Sequence, residues 1–131
     1  MALLRNRILG AWELATFDAR DTATGEVRRP LGRRPRGLIL YTDDGFMSAQ
    51  LAPEGTGNNE YIAYTGPFHV DEQAATVRHD VRMATMPDLL IQPQLRHVAF
   101  DDGRLVLSAT MTDAAGTTTH STLTWQRAVR K

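Results

Sequence analysis

Apolar and polar side chains alternate with a period of two through most of this chain, which is the pattern of half-buried β-strands. Turn-forming residues interrupt the alternation at short intervals, among them the Asp-Gly pairs at 44–45 and 102–103. The pattern predicts an antiparallel meander that follows a short N-terminal turn or helix. About eight such strands lose their exposed edges by closing on themselves, so we predict an all-β, up-and-down β-barrel.

Length and composition favour a single domain over residues 1–131. This length suffices to bury a core without disulfides or metals, and the chain has no cysteine. Neither a secretory leader nor an apolar run of membrane-spanning length is recognisable, so we expect a cytoplasmic protein without a membrane partner. The 15 basic residues balance the 15 acidic ones, which argues against nucleic acid as a partner.

One arginine-rich stretch, RRPLGRRPRG at 28–37, departs locally from this balance. It is either an anion-binding arm or a solvated connection between strands that two prolines stiffen. The neutral total charge favours the connection, and no aromatic residue interleaves with the arginines as a nucleic-acid site would require.

The Asp-Gly pair at 102–103 sets the register of one hairpin and shows which of its side chains face inward. The apolar face consists of Val98, Phe100, Leu105 and Leu107. Gln94 and Arg96 continue this face along the first strand of the hairpin, so both are predicted to point into the barrel.

Two further segments have a clear inner face. In 76–84 it comprises Val77, His79, Val81 and Met83. In 60–70 it comprises Ile62, Tyr64, Phe68 and Val70. The apolar neighbours of His79 would desolvate its imidazole and disfavour the charged form.

For the hairpin around 44–45, the pattern does not decide which of its two faces points into the barrel. A two-residue turn puts on one face Leu38, Leu40, Met47, Ala49 and Leu51. The other face then carries Ile39, Tyr41, Phe46, Ser48 and Gln50. Hydrophobicity favours the first set inside, whereas a ligand cavity would accept the second, because cavities mix apolar walls with a few polar groups.

Several blocks of the sequence resemble one family. Gly10-Ala11-Trp12 is similar to the G-x-W signature of lipocalins, and three stretches resemble the lipocalin-like domain family of bacteria and fungi: PLGRRPRGLILYTDDGFMSAQL, EYIAYTGPFHVDE and MPDLLIQPQLR. The resemblance implies a barrel closed at one end by Trp12, with Arg127 stacked on it, and a cavity for a small, mostly apolar molecule. It also favours the second face of the first hairpin as the inner one, namely Ile39, Tyr41, Ser48 and Gln50.

One segment departs from the family pattern. Met86, Leu89 and Ile91 stand where the family usually has Phe, Trp and Gly, whereas Gln94 and Arg96 match. The roof of the pocket is therefore remodelled, and the ligand of a relative does not transfer to this chain.

The inward polar residues define the candidate site. Catalytic roles are assigned to His79, Arg96 and Tyr64. Ligand-binding roles are assigned to Tyr41, Ser48, Gln50, Phe68, Gln94, Val98 and Phe100. A buried guanidinium needs a partner, so Arg96 meets a ligand oxygen, bonds carbonyl groups at the rim or packs on Trp12. His79 is either a general base for enolisation or a satisfied core residue.

Two function classes are compatible with this site. The first is a carrier that binds a small, largely apolar, oxygenated molecule of polyketide, terpenoid or fatty-acid type. The alternative is a cofactor-free isomerase, cyclase or hydratase. We expect no metal and no cofactor, because no two histidines on one strand have ligand spacing and no phosphate-binding glycine loop occurs.

Two irregular segments are expected at the open mouth. GTGNN (55–59) has the composition of a mobile loop, and MPDLLI (86–91) presents apolar side chains between prolines. The second segment is a lid, a contact between copies in a homodimer, or an ordinary rim loop of a monomer.

Overall fold

The computed structural model describes residues 3–55 and 61–129. One short helix, α1 (Leu4–Ile8), precedes ten strands: β1 (Gly10–Asp21), β2 (Val27–Arg28), β3 (Arg36–Tyr41), β4 (Phe46–Ala52), β5 (Ile62–Asp71), β6 (Thr76–His79), β7 (Met83–Ala84), β8 (Gln94–Asp101), β9 (Arg104–Thr112) and β10 (Thr118–Arg127). A 3-10 helix, Pro87–Leu90, lies between β7 and β8. Across these two ranges, no helix has the length and apolar character needed to cross a membrane.

Eight of the strands form a closed antiparallel barrel in the order β1-β3-β4-β5-β6-β8-β9-β10. Pairing of β1 with β10, from Trp12 opposite Arg127 to Asp21 opposite Thr119, closes the ring. The short strands β2 and β7 are additions that pair with β1 and β5. The predicted all-β barrel and its N-terminal helical turn are therefore confirmed.

The two Asp-Gly hairpins have different turns. In the β8–β9 hairpin, Asp101 pairs with Arg104, and both turn residues have positive φ, 52° at Asp102 and 79° at Gly103. That two-residue turn is the predicted one. In the β3–β4 hairpin, Thr42 N–H donates to the Phe46 carbonyl, so three residues form the loop.

The longer loop reverses the faces predicted for β4. Tyr41 pairs with Met47 rather than with Ser48, and a shift of one residue turns every side chain of a strand to its other face. Met47 and Ala49 are buried, whereas Gln50 is exposed and Ser48 is only half-buried. The inward placement of Ser48 and Gln50 was wrong, while Ile39 and Tyr41 do point inward.

A β-bulge separates β6 from β7. Phe68 pairs with His79 and Thr65 pairs with Met83, so three residues (80–82) lie opposite two on β5. The extra residue reverses the alternation, and Met83, predicted to be inward, is 66% exposed. Gly66 allows this bulge, because any Cβ at that position would overlap the carbonyl oxygen of Asp80.

Helix α1 closes one end of the barrel over Trp12. The indole N–H of Trp12 donates to the Ile8 carbonyl (2.9 Å), and the Arg127 guanidinium lies 3.7 Å from the centre of the Trp12 ring. Arg127 also donates to the carbonyl oxygens of Leu9 (2.6 Å) and Arg7 (3.0 Å). The stacked Trp12–Arg127 pair implied by the family resemblance is present.

The arginine-rich stretch connects β2 to β3 across the opposite end. Arg29 forms an ion pair with Asp18 (3.3 Å), and a Glu54 carboxylate oxygen accepts hydrogen bonds from the backbone of Arg33 (2.9 Å) and Arg34 (3.5 Å). These contacts fit the interpretation of the stretch as a connection.

Candidate functional site

A cavity of about 280 Å³ occupies the half of the barrel away from α1. Its wall is mostly apolar and includes Phe17, Ile39, Leu51, Ile62, Leu107 and Leu123. Its polar side chains are Tyr64, His79, Arg96, Ser121 and Trp125. The volume lies just below the range of roughly 300–1,000 Å³ usual for ligand pockets, so it fits a small molecule.

Three adjacent strands supply the first three of these polar residues. Tyr64 lies on β5, His79 on β6 and Arg96 on β8, and these strands are neighbours in the barrel. One side of the cavity is therefore polar, whereas the side formed by β1, β3 and β4 is apolar.

His79 lies between two tyrosine hydroxyl groups. The hydroxyl oxygen of Tyr41 is 2.7 Å from Nε2 of His79, and that of Tyr64 is 3.0 Å from Nδ1. All three side chains are buried, but only Tyr64 and His79 line the cavity. Both ring nitrogens of His79 are thus occupied by protein groups.

Burial determines the protonation state of this trio. Desolvation, reinforced by the nearby Arg96 charge, lowers the pKa of His79 to about 3. Desolvation also raises the pKa of Tyr64, and raises that of Tyr41 well above its usual range. At neutral pH the site therefore holds a neutral imidazole and two neutral phenols.

Arg96 is half-buried at the cavity wall. Its guanidinium donates to the backbone carbonyl of Leu95 (2.9 Å) and to the side-chain amide oxygen of Gln94 (3.3 Å). In the described ranges it has no carboxylate partner. One of the alternatives open for Arg96, a bond to a rim carbonyl, is present; Arg127, not Arg96, packs on Trp12. In the described ranges the remaining guanidinium N–H groups of Arg96 have no protein partner.

Trp125 lines the cavity with its ring, while its indole nitrogen is buried, a detail that the sequence did not single out. Its side chain is 1% exposed and lines the cavity, and its indole N–H has no hydrogen-bond partner among the described residues. Period-two alternation placed this side chain inward as a core residue. Alternation does not specify the neighbours of the indole N–H, so it could not predict that this group lacks a hydrogen-bond partner.

The residues predicted to bind ligand divide into three groups. Phe68, Val98 and Phe100 are inward-facing, but they belong to the packed core and do not line the cavity. Arg5 and Arg7 of α1 lie over Phe68 and Phe100, which places both rings near the closed end.

Tyr41 and Gln94 form the second group. They do not line the cavity but form hydrogen bonds with residues that do. Tyr41 holds His79, and buried Gln94 holds Arg96 and donates to the Gln92 carbonyl (3.0 Å). Ser48 and Gln50 are the third group. They line a depression on the outside of the barrel and do not reach the cavity.

The segment 86–91 lies at the mouth. Met86 and Leu89 contribute to the cavity wall, while Leu90 and Ile91 are 47% and 79% exposed. The role of this segment as a lid or as a contact between copies stays a prediction. Most of the other predicted mouth loop, 55–59, lies outside the described residues.

Two further depressions, of about 450 and 570 Å³, lie on the outside of the barrel. The first includes the outward-facing Leu38 and Gln50, and the second includes Asp80 and Arg82. Both are open to solvent and do not enclose a ligand, so the interior cavity is the candidate site.

Comparison with known proteins gives one match at the level of the family. A family model described as a lipocalin-like domain matches residues 9–58 and 56–128. The two matched segments together contain every strand of the barrel and every polar residue of the cavity. No curated protein matches the chain.

Proposed function

Because the chain belongs to the lipocalin-like domain family, whose barrel suggests small-molecule binding, we propose that its cavity binds a small, largely apolar molecule with an oxygen-containing polar group. The observation that carries the proposal is the placement of Tyr64 and Arg96 on one side of a largely apolar cavity. The apolar walls supply most of the affinity by removing ligand surface from water, and the polar side orients the ligand.

A carrier fits this site better than an enzyme. The isomerase, cyclase or hydratase alternative needs a group that accepts a proton from the substrate. His79 was the candidate base, but its pKa of about 3 and its two occupied ring nitrogens make it a poor one. In a carrier, Tyr64 and Arg96 orient the bound ligand, and the catalytic roles predicted for His79, Arg96 and Tyr64 belong to the enzymatic alternative.

The location of the site is tested by filling the cavity. Ala109 is buried in its wall, so Ala109→Phe places a ring in the space that a ligand would occupy. We expect this variant to lose at least tenfold in affinity for 2-acetylnaphthalene, decanoate or carvone, measured by calorimetry. Ala99→Phe, at an exposed position on the neighbouring strand, should bind these probes like the parent.

Three results would count against the proposal. They are failure of every probe to bind the parent, equal affinity of Ala109→Phe and the parent, and recovery of a chemically altered probe. A product of the same mass, or one differing by a water molecule, would favour the enzymatic alternative.

Replacing Arg96 by methionine tests the polar side. Arg96→Met keeps most of the side-chain volume but removes the charged donors, so decanoate affinity should fall by about 1.5–3 kcal/mol, the range for a lost hydrogen bond to a charged group. The free energy of unfolding should fall by no more than about 1–3 kcal/mol, the cost of leaving the buried Gln94 oxygen without its donor, because Arg96 forms no ion pair within the described ranges. Arg104→Met removes an exposed charge on β9 and serves as the control. A less stable barrel that binds decanoate normally would make Arg96 structural.

A further inference from the structure

We propose that Tyr41, His79 and Tyr64 form a hydrogen-bond chain with a fixed direction, in which the Tyr64 hydroxyl donates into the cavity. The chain makes the site selective for ligands that present an acceptor oxygen, such as a ketone, an ester or a carboxylate. The direction of the chain is a property of the free protein. Its consequence for ligands rests on the proposed binding function.

The direction follows from the surroundings of Tyr41. Its side chain is 2% exposed and does not line the cavity, and within the described ranges its hydroxyl has a single partner, Nε2 of His79. If Nε2 carried the proton, the Tyr41 hydroxyl would accept a bond and its own proton would be buried without an acceptor, which is costly. Tyr41 therefore donates to Nε2.

The neutral imidazole of His79 fixes the direction of the next hydrogen bond, the one to Tyr64. A neutral histidine has one protonated and one unprotonated ring nitrogen, so an acceptor Nε2 requires the proton to be on Nδ1. Nδ1 then donates to the oxygen of Tyr64, 3.0 Å away. The hydroxyl proton of Tyr64 is left free, and Tyr64 is the member of the pair of tyrosines that lines the cavity.

The other polar groups of the cavity can also act as hydrogen-bond donors. The guanidinium of Arg96 is a donor only, and the hydroxyl of Ser121 can donate or accept. Among the described lining residues none has a carboxylate or an amide side chain. The cavity thus offers several donors and few acceptors, and a ligand that fits it supplies acceptor oxygens.

Tyr41 and His79 are positioning residues in this arrangement, because they act on the ligand through Tyr64. Tyr41→Phe keeps the ring but removes the donor to Nε2. Nothing then holds the proton on Nδ1, and the Tyr64 hydroxyl is free to turn towards His79. The Tyr64→Phe variant removes the donor itself.

The tautomer is measured without any ligand. In uniformly ¹⁵N-labelled protein at pH 7, long-range proton–nitrogen spectra should show a protonated Nδ1 and an unprotonated Nε2 for His79, with the signals assigned by their loss in His79→Gln. In Tyr41→Phe the Nε2-protonated form should appear. A parent protein with the proton on Nε2 would overturn the chain.

The ligand preference is measured with a matched pair of probes. 2-Acetylnaphthalene and 2-isopropenylnaphthalene have nearly the same shape, but only the first has an acceptor oxygen. The ratio of their affinities should fall by about tenfold from the parent to Tyr64→Phe, and by a smaller factor in Tyr41→Phe. Tyr61→Phe, at a tyrosine that is 54% exposed, should leave the ratio unchanged.

The two measurements separate the possible failures. If both probes bind and the ratio is the same in all variants, the inferred selectivity is wrong and the binding function stands. If neither probe binds the parent, the proposed function and the ligand preference both fail, whereas the NMR result still decides the direction of the chain.

Discussion

Lowering the pH from 7 to 4 should reduce the free energy of unfolding by about 3 kcal/mol through His79 alone. The pKa of this imidazole is about 3 in the folded protein and about 6.5 in the unfolded chain, because folding buries it near the Arg96 charge. Below pH 6.5 the imidazole of His79 binds a proton in the unfolded chain but stays neutral in the folded protein. The stabilisation is complete above pH 6.5 and is lost progressively as the pH falls towards 3.

Urea unfolding at several pH values between 7 and 4 measures this effect. His79→Gln has no titratable group at this position, so its stability should depend less steeply on pH than that of the parent. His97→Gln removes an exposed histidine from the outer face of β8 and should keep the parental dependence. If His79→Gln and the parent lost the same stability on acidification, His79 would not be a buried neutral group.

Gly66→Ala should destabilise the barrel by about 3 kcal/mol or more, the upper part of the range for overpacking a close-packed site. A Cβ at this position would overlap the carbonyl oxygen of Asp80, which is backbone and has no rotamer by which to move away. The strands are held together on both sides of the contact, by Asp80 N–H to the Pro67 carbonyl (2.9 Å) and Arg82 N–H to the Thr65 carbonyl (2.8 Å).

Thermal or urea unfolding of Gly66→Ala should be compared with that of Gly103→Ala. Gly103 has positive φ but open space around the added methyl group, so its replacement should cost only about 1–2 kcal/mol of backbone strain. Equal destabilisation by the two substitutions would show that the bulge adapts to a side chain at position 66.

The sequence predicted the barrel well because alternation and turn residues are local signals. It failed at the β3–β4 hairpin, where the same Asp-Gly pair as in β8–β9 forms a longer loop. Gly45 N–H donates to the Thr42 carbonyl and the Gly45 carbonyl accepts a hydrogen bond from Phe68 N–H of β5, so a neighbouring strand participates in that turn. A contact with a residue distant in sequence is not visible in the turn residues themselves.

The candidate site was predicted in part for a related reason. A period of two shows which side chains face the interior, and it placed Tyr64, His79 and Arg96 there. It does not show which level along the barrel axis is empty. Phe100 and Arg96 share the inner face of β8, yet Phe100 packs against Trp12 with ring centres 6.3 Å apart, whereas Arg96 borders the cavity.

The closure of the barrel over Trp12 has a practical consequence for handling the protein. Strand β1 begins and strand β10 finishes at this closed end, since Trp12 pairs with Arg127. The chain therefore enters and leaves the barrel at the end opposite the mouth. A protein coupled to a sensor surface through either terminus would present its cavity to the solution. Two copies fused through their closed ends would keep both cavity mouths accessible, so one fusion protein could bind two ligand molecules.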